Sequence, residues 1–166
     1  MDMKKLFRDF AFGALGGIAG TVVMGRVSSW LYEYESEEKK KIEERLRKED
    51  PPMVMARKLT EDVLHTPVSD QTRERLGSAI HWGYGMAWGG LYGILHDRVP
   101  FFAKAAGLPF ALAFTLIGDE FMNTAMGLTP PPQEFPKEAH IRGTVAHYAY
   151  TAAADGVYRT LDHLAA

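Results

Sequence analysis

Charge is laid out along this chain in blocks, and no other feature constrains the fold as much. Lys, Arg and Glu concentrate between residues 33 and 75, whereas residues 10–31, 76–95, 101–118 and 141–161 are largely apolar or small. Each of these four stretches is close to the roughly 20 residues that carry an α-helix across a bilayer core. The mean hydropathy of −0.17 hides the pattern, because the charged block pulls the average down. The first three stretches hold almost no charge at their centres. The fourth contains His147, Asp155 and Arg159, so it inserts poorly alone and must turn its polar side toward protein. The expected fold is all-α. It is a single domain over residues 1–166, a four-transmembrane-helix bundle with a charged helical insert (33–75) between helices 1 and 2.

Glycine spacing separates this reading from a soluble helical bundle, whose buried helices can also be rich in Gly and Ala. "GALGGIAGTVVMG" places Gly13, Gly17 and Gly20 on one helical face with Gly16 beside them, and "GYGMAWGGLYG" places Gly85, Gly89 and Gly93 at successive steps of four. In water each interior glycine costs a helix about 1 kcal/mol against alanine. In lipid, faces of small residues let backbones approach closely and help drive helix association. No strand precedes either run, which removes a dinucleotide-binding loop.

Several classes fall away on composition. A net charge of −2 without a clustered basic face gives no case for nucleic acid. Cysteine is absent, which excludes disulfides, thiolate metal sites and cysteine nucleophiles. "MDMKKLFRDFAFGALGGIAG" runs on into "TVVMGRVSSWLY" with no cleavage signature. Orientation stays open, since the basic insert and the N-terminal Lys4, Lys5 and Arg8 pull in opposite directions. Within the insert, Glu37/Lys41, Glu43/Arg47 and Glu44/Lys48 are i,i+4 pairs in the favourable order. They predict a solvated helix continuing the first span until Asp50, Pro51 and Pro52 stop it. A second short helix is expected over residues 53–64, and no chemistry is assigned to either.

The polar residues inside the apolar stretches carry the functional argument. Thr115, Asp119 and Asn123 form a stripe at steps of four. Glu120 is rotated by about 100° from Asp119, so the two acids serve different neighbours. His140, Thr144, His147, Thr151, Asp155, Tyr158 and Asp162 make a polar seam along the last helix, with a softer one in His81, Gly85, Trp88, Tyr92 and His96. Packed face to face, these place a cluster of His81, Asp119, Glu120, His140 and His147, with Arg142 nearby, inside the bundle. Ionisable groups at membrane depth mark proton relays, ion paths or ligand sites, although the same residues can simply pair and fix helix register. No catalytic set is predicted, because no nucleophile context accompanies the histidines. No cofactor is predicted either. His140 and His147 stand seven apart, too far for one ion, and metal or haem held by His81 and His147 ranks behind the other readings.

"AIHWGYGMAWGGLYG", "GDEFMNTAMGLTPPPQEFPKEAH" and "HYAYTAAADGVYR" together resemble the bacterial inner-membrane family of unknown function typified by YagU. The resemblance rests on His81, Gly85, Gly89, Tyr92, Gly93, Asp119, Glu120, Gly127, Leu128, Pro131, Pro132, Pro136, His140 and His147. It covers roughly residues 10–160 and is weakest in the charged insert. Thr124 and Thr151 depart from it, standing where the family pattern has proline and glycine. The resemblance implies a multi-pass helical protein of the bacterial inner membrane and carries no activity with it. The expected function is thus an integral membrane protein whose carboxylate/histidine cluster handles protons, ions or a small solute. The alternative is a structural or accessory subunit that binds partner proteins through its Gly faces and charged insert. Membrane lipid and either a homo-oligomer or a larger membrane assembly are the expected partners.

Overall fold

The computed structural model describes residues 2–165. The Asp2 carboxylate accepts the Lys4 backbone N–H at 2.9 Å and starts α1 (Met3–Glu33), which contains no proline to interrupt it. The chain then turns through Tyr34–Ser36 into α2 (Glu37–Leu46). Pro51 and Pro52 occupy the first turn of α3 (Pro51–Arg57), where a missing N–H costs nothing. A π-helical turn (Lys58–Val63) extends α3, and the Ser69 hydroxyl caps α4 (Asp70–Arg98) by accepting the Thr72 N–H. α5 (Leu108–Ala113), a π-helical stretch (Phe114–Phe121) and α6 (Met122–Ala125) form one continuous rod. After the proline-rich loop with its 3-10 turn (Pro132–Glu134), α7 (Lys137–Leu164) completes the chain. Among the described residues there is no strand.

The four long elements form an up-down-up-down bundle. α1 lies antiparallel to α4 and to α7 at very short range. A Cβ built on Gly13 would stand 2.2 Å from the Gly89 carbonyl oxygen, and one on Gly20 would stand 2.6 Å from the Tyr150 ring. Only glycine permits that approach, so the faces of Gly13, Gly17, Gly20, Gly85, Gly89 and Gly93 are occupied within the chain itself. The α5–α6 rod is held differently, by aromatic side chains. Trp88 stacks on Phe114 with ring centroids 4.4 Å apart, and Tyr92 meets Phe110 at 5.1 Å and Tyr150 meets Phe114 at 5.2 Å.

Ion pairs tie both ends. At one, Asp9 is fully buried and takes Lys5 at 3.1 Å, Arg8 at 3.3 Å and Arg98 at 2.9 Å, while Arg8 reaches Asp162 at 2.8 Å. Beside it Tyr92 donates to Asp155 at 2.6 Å and Arg159 donates to the same carboxylate at 2.8 Å. At the other end Arg142 of α7 binds Glu35 and Glu43. Between these ends the outer surface is apolar on every long element, through Leu15, Val22, Val23, Trp82, Met86, Leu91, Leu116, Ile117, Ile141 and Val145.

Two expectations need correction. Residues 101–107 are turn rather than helix. Ala105, Ala106 and Gly107 take left-handed backbone at φ 49°, 51° and 83°, and the third helix starts only at Leu108 and runs on past residue 118. The insert is not a continuation of α1, because the chain folds back after Glu33 and delivers Glu43 to α7. By length and composition, α1 is the one helix among the described residues apolar enough by itself to cross a membrane.

Candidate functional site: a cavity at the insert end of the bundle

Where the aromatic filling stops, the bundle is hollow. Below Trp88, Phe114 and Tyr150, the inward positions are small or polar: Gly77, Ser78, His81 and Gly85 on α4, Asp119 and Asn123 on the rod, and Gly143 and Ala146 on α7. They surround a cavity of about 800 Å³, roofed by Asp50, Pro51, Pro52 and Met53 of the insert. Small-molecule pockets fall at about 300–1,000 Å³.

All five of the polar candidates line this one cavity. Their roles differ. The Asp119 carboxylate accepts from the Asn123 amide at 2.9 Å, one turn on, and meets no basic side chain among the described residues. Glu120 turns instead to His140, whose Nδ1 lies 2.6 Å from Oε1. The other ring nitrogen of His140 stands 3.0 Å from the Pro132 carbonyl, which can only accept, so Nε2 is the donor there. His147 is 2% exposed. Its Nδ1 donates to the Gly143 carbonyl at 2.8 Å, which leaves Nε2 as an acceptor in the neutral ring, and its face meets the Phe114 edge. His81 sits in the fourth turn of α4, exposed on one side and lining the cavity on the other.

The polar seams resolve mainly within their own helices. Thr115 donates to the Ala111 carbonyl, Thr144 to that of His140 and Thr151 to that of His147. Threonine satisfies its hydroxyl in this way when no better partner faces it. Across helices the connecting groups are tyrosines: Tyr84 donates to the Gly118 carbonyl at 2.8 Å, and Tyr150 donates to that of Gly85.

Arg142 forms the rim. It is buried against the Tyr32 ring at 4.9 Å and donates to both oxygens of Glu43 at 2.6 and 2.7 Å, with Glu35 on its other nitrogen. Sequence reasoning placed Arg142 near the cluster but missed both glutamates, which lie about a hundred residues away in a segment that reads as plain solvated helix. No local signal marks them, because both lie in a run of charged residues.

Outside the membrane-length stretches, the far end holds His96. Hydrogen bonding to Asp155, aided by Asp97 at 2.7 Å, holds its imidazole above the ordinary histidine value, and His96 in turn keeps the Asp97 carboxyl below the usual range. That cluster lies away from the cavity. Among the described residues no three His, Asp or Glu side chains converge as a metal-binding group. Comparison with protein-family models, curated proteins and solved structures gives no match for this chain.

Proposed function

We propose that the chain is a multi-pass protein of the bacterial inner membrane, related to the YagU-typified family, that binds a small solute in the cavity beneath its insert. The observation that carries this reading is the cavity itself: four helices and the insert enclose a ligand-sized space into which the chain's unusual polar residues converge. The membrane placement is supported by the apolar outer surface between two charged ends, with α1 as the most apolar element. α4, the α5–α6 rod and α7 cross with their polar groups turned inward or held at the ends, as buried ionisable residues in bilayers require. A chain of this size leaves a narrow path, so a homo-oligomer or a larger assembly is the working unit if solute passes through. Solute binding suits the geometry better than a proton wire, because the Tyr84, Tyr150 and Thr115 hydroxyls are fixed on backbone carbonyls.

The test has two arms. Membranes from expressing cells are washed with alkaline carbonate, and the protein stays in the pellet; recovery in the supernatant rejects the membrane placement. The detergent-purified protein is then screened by thermal shift against small acids, amines, sugars and neutral amphiphiles. At least one class raises the melting temperature of the wild type and not of Gly143→Phe. Gly143 lines the cavity and a Cβ there meets nothing within 4 Å, so a side chain at this position has open space to enter. Equal responses of both proteins to every class reject the solute reading.

A further inference from the structure

The hydrogen-bonding polarity of the cavity names the solute it would take. In its deep part the donors are already committed to the protein: the hydroxyl hydrogens of Tyr84, Tyr150, Thr115 and Thr21 go to backbone carbonyls, and the Nδ1 hydrogen of His147 goes to Gly143. These deep groups are left offering acceptors, namely oxygen lone pairs, the His147 Nε2 and the Asp119 carboxylate, whereas the hydrogen-bond donors of Ser28, Ser78, His81 and Thr129 belong to other parts of the lining. Charge points the same way. Of the ionised side chains lining the cavity, four are acidic (Glu43, Asp50, Asp119, Glu120) and two are basic (Arg47, Arg142). Both guanidiniums are turned onto Glu43, and Glu120 is engaged by His140. Asp50, which is exposed, and Asp119 are left without a cationic partner among the described residues, and Asp119 shares the cavity lining with the rings of Tyr84, Phe114 and Tyr150.

We infer that the cavity binds a protonated organic amine, with Asp119 as its counter-ion, the His147 ring and tyrosine oxygens as acceptors, and the aromatic wall covering its apolar part. The inference rests on the solute-binding reading above and adds the ligand's chemical class. An ammonium group supplies the donors and the charge that this lining lacks, and aromatic faces attract cations as well as alkyl or aryl groups. An anion would face the Asp119 carboxylate, and a neutral alcohol would leave its charge unmatched.

Isothermal calorimetry on the detergent-purified full chain tests it with three probes of one shape: phenethylamine, 2-phenylethanol and phenylacetate. The amine binds at least about tenfold more tightly than the alcohol, and phenylacetate is weakest, in line with a charge-assisted contact screened from water. Asp119→Asn keeps the melting temperature but loses most of that preference, and Gly143→Phe abolishes amine binding. Equal binding of the three probes to the wild type overturns the amine inference, as does an unchanged amine preference in Asp119→Asn. If the probes bind without charge preference and Gly143→Phe still blocks them, solute binding stands and only its ligand class is wrong. If no probe binds the wild type, the amine inference is overturned, and the broader solute screen decides the reading beneath it. The wild-type probe series alone decides the matter if Asp119→Asn does not fold.

Discussion

Adding one methyl group at Gly13 tests how α1 is seated on α4. The new Cβ would stand 2.2 Å from the Gly89 carbonyl oxygen and 2.9 Å from the Gly93 backbone nitrogen and Cα. An ordinary C···O contact is about 3.3–3.6 Å, so the two helices must part by roughly 1 Å. Every clashing atom is backbone, and no rotamer change relieves it. A gap of that size forfeits about a quarter to a half of each dispersion contact, worth about 0.1–0.2 kcal/mol apiece. Over roughly 40 facing atom pairs the loss comes to about 1–4 kcal/mol, which spans the usual cost of about 1–3 kcal/mol for an overpacked interior. Alanine also favours the helix intrinsically, which opposes the loss. Gly25→Ala isolates that gain, because a Cβ there meets nothing within 4 Å. In thermal unfolding of the detergent-solubilised protein, Gly13→Ala should melt about 4–8 °C below Gly25→Ala for a penalty of about 2 kcal/mol. If Gly13→Ala melts level with or above Gly25→Ala, α1 and α4 do not meet backbone to backbone, and the close packing that seats α1 is wrong.

Three further outcomes follow from the ion pairs. Arg142→Ala leaves Glu43, which is 7% exposed, with only the longer Arg47 contact at 3.7 Å and should cost about 3 kcal/mol, read as faster amide exchange across residues 33–64, with Glu43→Gln in the same chain restoring part of the loss. Asp9→Asn leaves Lys5, Arg8 and Arg98 facing one another around a fully buried position, and equilibrium unfolding should show a loss of about 3 kcal/mol. His96 binds its proton more tightly folded than unfolded, so its stabilisation is complete below the ordinary histidine value of about 6.5 and fades as pH rises through the raised value. The melting temperature should therefore decline above neutrality, and His96→Gln should flatten that decline while Tyr92, Tyr158, Arg159 and Asp97 around it are kept.

The helical character and the order of the long elements were legible because apolar stretches and glycine runs are local patterns. The convergence of His81, Asp119, Glu120, His140 and His147 on one space followed from placing their faces inward. Other features left no local trace. Phe101 and Phe102 read as the start of a span, but the chain turns there through positive φ at Ala105 and Ala106, residues that rarely signal such a turn. The threonines of the last helix suggest interhelical contacts, yet those at 144 and 151 back-bond to carbonyls one turn earlier. Glu35 and Glu43 look solvated by their neighbours in sequence, and only the tertiary fold brings a buried guanidinium to them. The Tyr84 and Tyr150 hydroxyls, which set the polarity of the cavity, were unremarkable as members of aromatic-rich helices.

The cavity itself arises from two unlike ways of packing helices in one bundle. Glycine lets α1 lie directly on α4 and α7, and the rod of α5 and α6 is held off by the Trp88, Phe110, Phe114 and Tyr150 rings. A four-helix bundle with one close side and one distant side must fill the difference or leave it empty. It is filled at the level of those rings and left open below them, where glycine, serine and histidine take the inward positions. The π-helical stretch Phe114–Phe121 lies at that transition, and the Met122 N–H reaches back five residues to Ile117. The wider turn changes the phase of the rod, so that Thr115, Asp119, Glu120 and Asn123 join the cavity lining together with Phe114 and Met122. Such local widenings recur at functional sites because they re-aim side chains that a regular helix would send elsewhere. The adjacent acids can then divide their work: Glu120 closes on His140 beside the proline loop, while Asp119 keeps a carboxylate, unmatched by any cation, in the space that the uneven packing leaves open.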